Sequence, residues 1–437
     1  MNGEWRVENG EWATHGKARK KMSRIDELIA ELCPEGVEFK EIHELFVTKN
    51  GYTPSTTNKA YWTDGTVPWF RMEDIRENGR ILSTSLQQIT PEAVKGGRLF
   101  PANSIIVATS ATIGEHALIT VPHLSNQRFT SLALKPDFAA RLDMKFAFYY
   151  SFVLDNWCRN NTTTSSFASV DMTGFKKFRF PIPPLEIQRE IVKVLDTFTQ
   201  LEAELEAELE ARRRQYQCYR DALLSFDERM SGATKQASIR WTAMAEVAEI
   251  RSGWGFPNAY QGQSEGIYPF YKVSDMNLVG NETVMTDANN FIDATTAKTL
   301  GVTPAPAGTV IFPKIGAAVA TNKKRLLTKP SAYDNNVMGL IPGEQLNSRF
   351  LFFWMQTVDL TKLAHDSGAV PSIRKSEMEQ LQVPIPPLEE QERIVAILDQ
   401  FDALVNDLSS GLPAEIQARR KQYEHYRDRL LSFKEAA

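Results

Sequence analysis

The sequence is written twice, and any fold it adopts must hold two copies of one unit. FPIPPLEIQREIVKVLDTFTQL at 180–201 returns as VPIPPLEEQERIVAILDQFDAL at 383–404. RRRQYQCYRDALLSF at 212–226 returns as RRKQYEHYRDRLLSF at 419–433. Upstream of each copy the match weakens but keeps its order. VPWFRMEDI (67–75) parallels YPFYKVSDM (268–276), and PANSIIVATSATIG (101–114) parallels PAPAGTVIFPKIG (304–316). SNQ (125–127) parallels DNN (334–336), FAFYY (146–150) parallels FLFFW (350–354), and SSFASVDM (165–172) parallels GAVPSIRK (368–375). Two diverged segments thus alternate with two nearly identical ones.

The diverged segments, 37–180 and 239–382, read as mixed α and β. SIIVAT and TVIFP are strand-type runs, and the Gly, Pro and Asn between such runs mark turns. FAFYY and FLFFW read as core at helical spacing, and Trp69/Phe70 and Phe270/Tyr271 read as core aromatics. PIPP cannot be helical, because proline lacks an N–H and pushes its predecessor into extended geometry. It is a rigid lead into a helix starting near Leu185, with Ile191, Leu195, Phe198, Leu201, Leu205 and Leu209 on one side. Nothing interrupts 185–226, a stretch of ~63 Å if continuous, so it needs a partner. LEAELEAELEA (201–211) places Leu at every fourth residue, a row that drifts around a helix of ~3.6 residues per turn and curls against a neighbour. The second copy has SSGLPAE at this point, and Gly411 and Pro413 break its helix in two.

The expected fold class is therefore α+β: two mixed α/β domains separated by two long helical segments packed as an antiparallel coiled coil, a pseudo-two-fold tandem duplication. Residues 1–21 form a disordered leader or a start-site artefact. Residues 22–180 hold the first domain, opened by a helix with Ser23 as N-cap. Residues 181–238 are the central spacer, 239–382 the second domain, and 383–437 the C-terminal spacer.

Several function classes are excluded or disfavoured. The longest apolar run, Phe146–Leu154, is about half the ~20 residues of a bilayer span, and no signal-type apolar segment opens the chain. Three scattered cysteines form no CxxC pair and fit a reducing cytoplasm. There is no P-loop, HExxH or Cys/His cluster at metal spacing. His43, His116, His123, His365 and His425 have no triad context. The net charge of -4 argues mildly against nucleic acid, but its distribution does not. Residues 37–180 carry 16 basic and 13 acidic side chains, and 239–382 carry 13 of each. The acidity sits in the two helical segments.

The duplicated PIPPLExQ lead, the amphipathic helix behind it, the LEAE tetrads and the RDxLLSF ends resemble one family: the DNA-specificity subunits of type I restriction–modification enzymes. WFRMEDI and FYKVSDM look like that family's target-recognition domains. The resemblance covers about residues 23–434. It implies a non-catalytic reader of double-stranded DNA, each recognition domain binding half of an asymmetric bipartite sequence. It implies helices that set the half-site spacing and dock two methyltransferase subunits, with Leu185, Gln188, Leu388 and Gln391 as partner-binding positions. Motor-nuclease subunits would join. No cofactor is expected on this chain; S-adenosylmethionine, ATP and Mg are expected on the partners. The tetrads would act as a ruler, each adding up to ~6 Å of helix. SSGLP interrupts the second helix, a departure from that pattern. A stand-alone DNA enzyme and a protein-only coiled-coil adaptor are the competing readings.

Base edges are read by polar and basic side chains on loops, and phosphates mainly by Lys and Arg. In the first domain the candidates are Thr109, Ser110, Thr112, Asn126, Gln127, Arg128, Ser169 and Lys176. In the second they are Lys314, Asn322, Lys323, Lys324, Arg325, Asn335, Asn336, Ser372, Arg374 and Lys375. Asn126/Gln127 and Asn335/Asn336 match in the repeat, as amides for adenine or as caps of backbone turns. Asn322–Arg325 is either a DNA-contacting basic loop or a solvated hairpin. Lys176, Lys177 and Arg179 suit either phosphate contact or a solvated edge strand. Arg212–Arg214 and Arg419–Lys421 meet acidic partner faces or simply solvate helix ends.

Overall fold

The computed structural model describes residues 24–163, 168–226, 239–365, 370–407 and 410–436. The expected leader, and Ser23 as cap of the first helix, lie outside them. The chain forms two compact units, one of residues up to Leu201 with those from Arg420 onward, the other of Glu202–Arg419. The last helix is therefore shared between units, where the sequence reading gives 383–437 to one spacer.

In the first unit a five-stranded sheet runs in the order Phe46–Asn50, Phe129–Leu134, Ser104–Ala108, His116–Ile119, Ile81–Leu82. A three-stranded sheet runs Gln88–Ile89, Val67–Phe70, Leu124–Ser125. The second unit repeats both. Its five strands run Ala248–Ser252, Val337–Pro342, Val310–Pro313, Arg325–Leu327, Val284–Met285, and its three run Phe291–Ile292, Tyr268–Tyr271, Ala332–Tyr333. The weak upstream echoes are thus one topology filled twice. In each unit a strand entering the domain pairs antiparallel with the strand leaving it. Phe39–Glu41 pairs with Arg179–Pro181, and Arg240–Ala243 with Gln382–Ile385. This closes the domain at the start of each PIPP lead, whose first residues belong to the leaving strand.

Apolar helices cover the sheets. Met144–Asn160 buries Phe146, Phe148, Tyr149 and Leu154, and Ser348–Thr357 buries Phe350, Phe352, Phe353 and Trp354. Both start on an Asx cap: Asp143 accepts from the N–H of Lys145 and Phe146, and Asn347 from that of Arg349 and Phe350. Trp69, Phe70, Phe270 and Tyr271 are buried, as expected for core.

The helix after the first PIPP runs Leu185–Leu224 without a break. Its counterpart is split into Leu388–Asn406 and Gly411–Leu430. Gly411 takes φ 72°, closed to most side chains, and Pro413 fits in the new helix's first turn, where its missing N–H has no bond to lose. In the first unit Phe198 stacks against Tyr426, with centroids 5.5 Å apart, while Asp26 pairs with Arg429 and neighbouring Arg24 with Glu186. The helices run antiparallel there. In the second unit Phe401 stacks with Tyr219 and Tyr216. Among the described residues no helix is long and apolar enough to cross a membrane, and no group of His, Cys, Asp or Glu could hold a metal ion.

Candidate nucleic-acid interface

Three loop segments meet in the first unit. The N–H of Thr109 donates to the carbonyl of Arg128 at 2.9 Å, and the N–H of Val170 donates to the carbonyl of Thr109 at 2.9 Å. Ser110 bridges Ser169, whose hydroxyl lies 2.9 Å from that of Thr163. Ser110, Ser169 and the Asn126–Arg128 turn thus share one surface. Gln127 and Arg128 are exposed on it, and Thr112 is half-buried with its hydroxyl enclosed. Ala111 is held at φ 65°, a left-handed conformation costing an L-residue about 1–2 kcal/mol. Thr109 is a correction. It is buried, with its hydroxyl 3.0 Å from that of Thr130, so it supports the loop from below. Lys176 is exposed in the last turn of Met172–Lys177. Arg179 is engaged by Glu435.

The second unit assembles the equivalent surface with different chemistry. The N–H of Lys314 donates to the carbonyl of Asn336, and the N–H of Ile373 to the carbonyl of Lys314, both at 2.8 Å. The side chain of Lys314 donates to the Ser252 hydroxyl at 3.0 Å, and burial holds its ammonium below the ordinary range against the pull of Asp334. Asn335, Arg374 and Lys375 are exposed, and Ser372 and Asn336 half-exposed. Lys375 pairs with Glu379 at 3.7 Å.

These bonds correct the repeat register by one residue. The N–H of Asn126 donates to Phe70, and that of Asp334 to Tyr271. The Asn126 side chain accepts from the N–H of Arg128, as Asp334 accepts from that of Asn336, both at 3.0 Å. Asn126 therefore corresponds to Asp334, Gln127 to Asn335 and Arg128 to Asn336. Glycine explains why the turn fits. A Cβ on Gly51 would lie 2.2 Å from the Asn126 carbonyl oxygen, and one on Gly253 would lie 1.9 Å from that of Asp334.

The basic run Asn322–Arg325 is largely internal, another correction. Lys324 is fully buried, and its ammonium donates to Asn322 Oδ1 at 2.8 Å and to the Val358 carbonyl at 2.5 Å. Burial pushes it down to about 8. Arg325 lies in a strand, buried, donating to the carbonyls of Lys324 and Met276. Asn322, at φ 52°, also accepts from the N–H of Leu360. Lys323, like Asn322, is half-exposed, and it is tied to Asn277. Strand pairing, which residue type does not report, turned these cations inward.

The helix-lead candidates divide as well. Leu388 is exposed and Leu185 half-buried. Gln188 and Gln391 are corrections: both are fully buried and their amides bond within their own unit, leaving nothing for a partner.

A cleft of ≈ 440 Å³ in the first unit, lined by Trp62, Trp69, Arg71 and Gln87 among others, holds none of the residues expected from the sequence to contact DNA. Its signal is a basic residue directly after the strand in both copies, WFR and FYK.

The family described as Type I restriction modification DNA specificity domain matches twice, over residues 34–211 and 241–418. The type I restriction enzyme EcoprrI specificity subunit of Escherichia coli is 43% identical over 85% of this chain and 89% of its own. The EcoR124I/EcoR124II specificity subunit of Escherichia coli is 32% identical over 62% and 69%. A solved chain of a type I R-M system, studied for complex assembly and conformational transition, superposes with a TM-score of 0.62 at 18% identity, over 91% of this chain and 98% of that one. Two matches of one specificity domain, in a chain folded as two copies of one topology, make this protein a member of the type I restriction–modification DNA specificity subunits.

Proposed function

We propose that this chain is the non-catalytic reader of its complex, each recognition domain contacting one half of an asymmetric bipartite DNA target. The paired helices set the gap between half-sites and dock two methyltransferase subunits, and motor-nuclease subunits complete the assembly in the cytoplasm. S-adenosylmethionine, ATP and Mg act on those partners. The observation that carries the reading is one sheet topology filled twice, with near-identical helix leads and different side chains on the converging loops. Two different readers on one repeated frame answer what an asymmetric target asks. Homodimeric repressors obtain fixed half-site separation through two-fold symmetry; here the symmetry is internal. The modest charge of the readers means few phosphate contacts, so the chain alone binds DNA weakly and the complex more tightly.

The test is co-expression with the modification subunit encoded beside it, followed by single-molecule methylome sequencing of the host. A new two-part adenine-methylated motif with a fixed gap is the expected result. A partner-bound complex that yields no motif and retains no DNA would make the chain a protein-only adaptor. Turnover by the isolated chain would make it an enzyme.

A further inference from the structure

The two readers share a scaffold at one more place, and they fill it differently. In the first unit the strand Val67–Phe70 leads directly into the helix Met72–Asn78 through Arg71. The Arg71 N–H donates to Asp74 Oδ2 at 2.6 Å, and the same buried carboxylate accepts from the N–H of Leu86 through Oδ1. In the second unit the N–H of Lys272 donates to Asp275 Oδ2, also at 2.6 Å. One anchored turn therefore presents a cation at the same position in both.

Above that turn the chemistry departs. The Arg71 guanidinium lies over the Trp69 indole, 5.6 Å from its centroid, and Trp62 meets Trp69 edge-on at 4.9 Å. Edge-on packing leaves the cleft open. Among the described residues the Arg71 side chain makes no hydrogen bond; Nε is enclosed and has only a long ion pair with Glu73 at 3.9 Å. In the second unit Phe256 lies flat on Phe270 with centroids 3.8 Å apart, and the Lys272 ammonium donates to Gln261 Oε1 at 2.8 Å. That position is filled and its cation engaged. The first cleft also adjoins the converging loops, because the Thr53 hydroxyl on its wall donates to Gln127 Oε1.

We propose that Arg71 reads a base of the first half-site, and that the cleft of Trp62, Trp69, Arg71 and Gln87 receives the edge of that base pair. The proposal rests on the reading of the chain as a bipartite DNA reader. A planar guanidinium braced on an indole keeps its donor fork in one plane, the arrangement that grips guanine O6 and N7 together. A phosphate contact needs only a flexible point charge, which exposed Lys59 at the rim supplies.

The test uses the full chain in complex with its modification subunit, with R71A, R71K and K272A compared by methylome sequencing. With R71A the motif becomes degenerate at one guanine of one half-site, where discrimination falls roughly 10- to 100-fold. R71K keeps the charge and loses the fork, so it relaxes the same position. The other half-site stays as in wild type, and K272A leaves the Arg71-dependent half unchanged. An unaltered motif with R71A, or equal weakening at every site, overturns the proposal and leaves Arg71 a stacked surface residue or a phosphate contact. Should R71A abolish methylation, competition by duplexes varied base by base reads the same discrimination, and equal loss across all duplexes overturns it. Absence of any bipartite motif with the wild-type chain would instead overturn the functional reading beneath.

Discussion

Gln188 and Gln391 make the same three hydrogen bonds, each inside its own unit. Gln188 accepts from the N–H of Asp143 at 2.8 Å and donates to the carbonyls of Arg141 and Pro183. Gln391 accepts from the N–H of Asn347 at 2.8 Å and donates to the carbonyls of Gln345 and Pro386. Asp143 and Asn347 are the N-caps of the two apolar helices. Each glutamine therefore locks a recognition domain to the helix that follows it. Lys145–Asp196 and Arg349–Asp399 repeat the lock about two turns further along the helix.

Truncating either glutamine strands three backbone groups, one of them, the carbonyl of Pro183 or Pro386, buried. Q188A and Q391A should each destabilise their unit by about 3 kcal/mol, seen as a lower urea midpoint. L388E, at an exposed apolar position, should leave the midpoint unchanged and lower copurification of the modification subunit at least roughly tenfold. Equal stability of Q188A and wild type would refute the structural role.

Lys324 should behave as a core residue. K324A removes the donor to Asn322 Oδ1 and the Val358 carbonyl and should cost about 2 kcal/mol. The slope of DNA affinity against salt should not change, since no phosphate contact is lost. Burial holds the ammonium at about 8, below its usual 10.5. The unfolded chain thus binds the proton more tightly, and the second unit should gain stability as pH rises from 8 toward 10.5. K324A should flatten that rise in urea titrations.

His123 gives the first unit an acid-side signature. Its ring is buried between Phe70 and Phe100, with Nδ1 donating to the Val121 carbonyl at 2.9 Å. Burial pushes it down to about 4 from an ordinary 6.5. The unfolded chain takes up the proton first, so stability is complete above pH 6.5 and falls as pH drops toward 4, by up to about 3 kcal/mol. Urea midpoints of wild type and H123F at pH 7.5 and 5 should differ in slope; parallel lines would sink the assignment.

Deleting one LEAE tetrad from the unbroken helix Leu185–Leu224 should shorten it by about 6 Å. The methylated motif should then lose one to two base pairs of gap, at 3.4 Å each, and keep both half-sites. A changed half-site would mean that the tetrads support a reader rather than space the two.

What the sequence determined by itself is the repeat and what periodicity controls. PIPP leads, the helix from Leu185, the break at Gly411 and Pro413, and the strands of SIIVAT and TVIFP all follow from local rules of proline, glycine and side-chain spacing. The duplicated PIPPLExQ lead, with the LEAE tetrads and the RDxLLSF ends, carried the family. Tertiary structure decided which polar residues face outward. Lys324, Arg325, Thr109, Gln188 and Gln391 read as surface chemistry, yet strand pairing and helix docking bury them on backbone partners. It also decided the register, moving Asn126 opposite Asp334 because a backbone bond from the adjoining strand fixes the turn. Composition records that a side chain is polar. Only the pairing of segments distant in sequence determines whether its hydrogen bonds are met by the chain itself or left for another molecule.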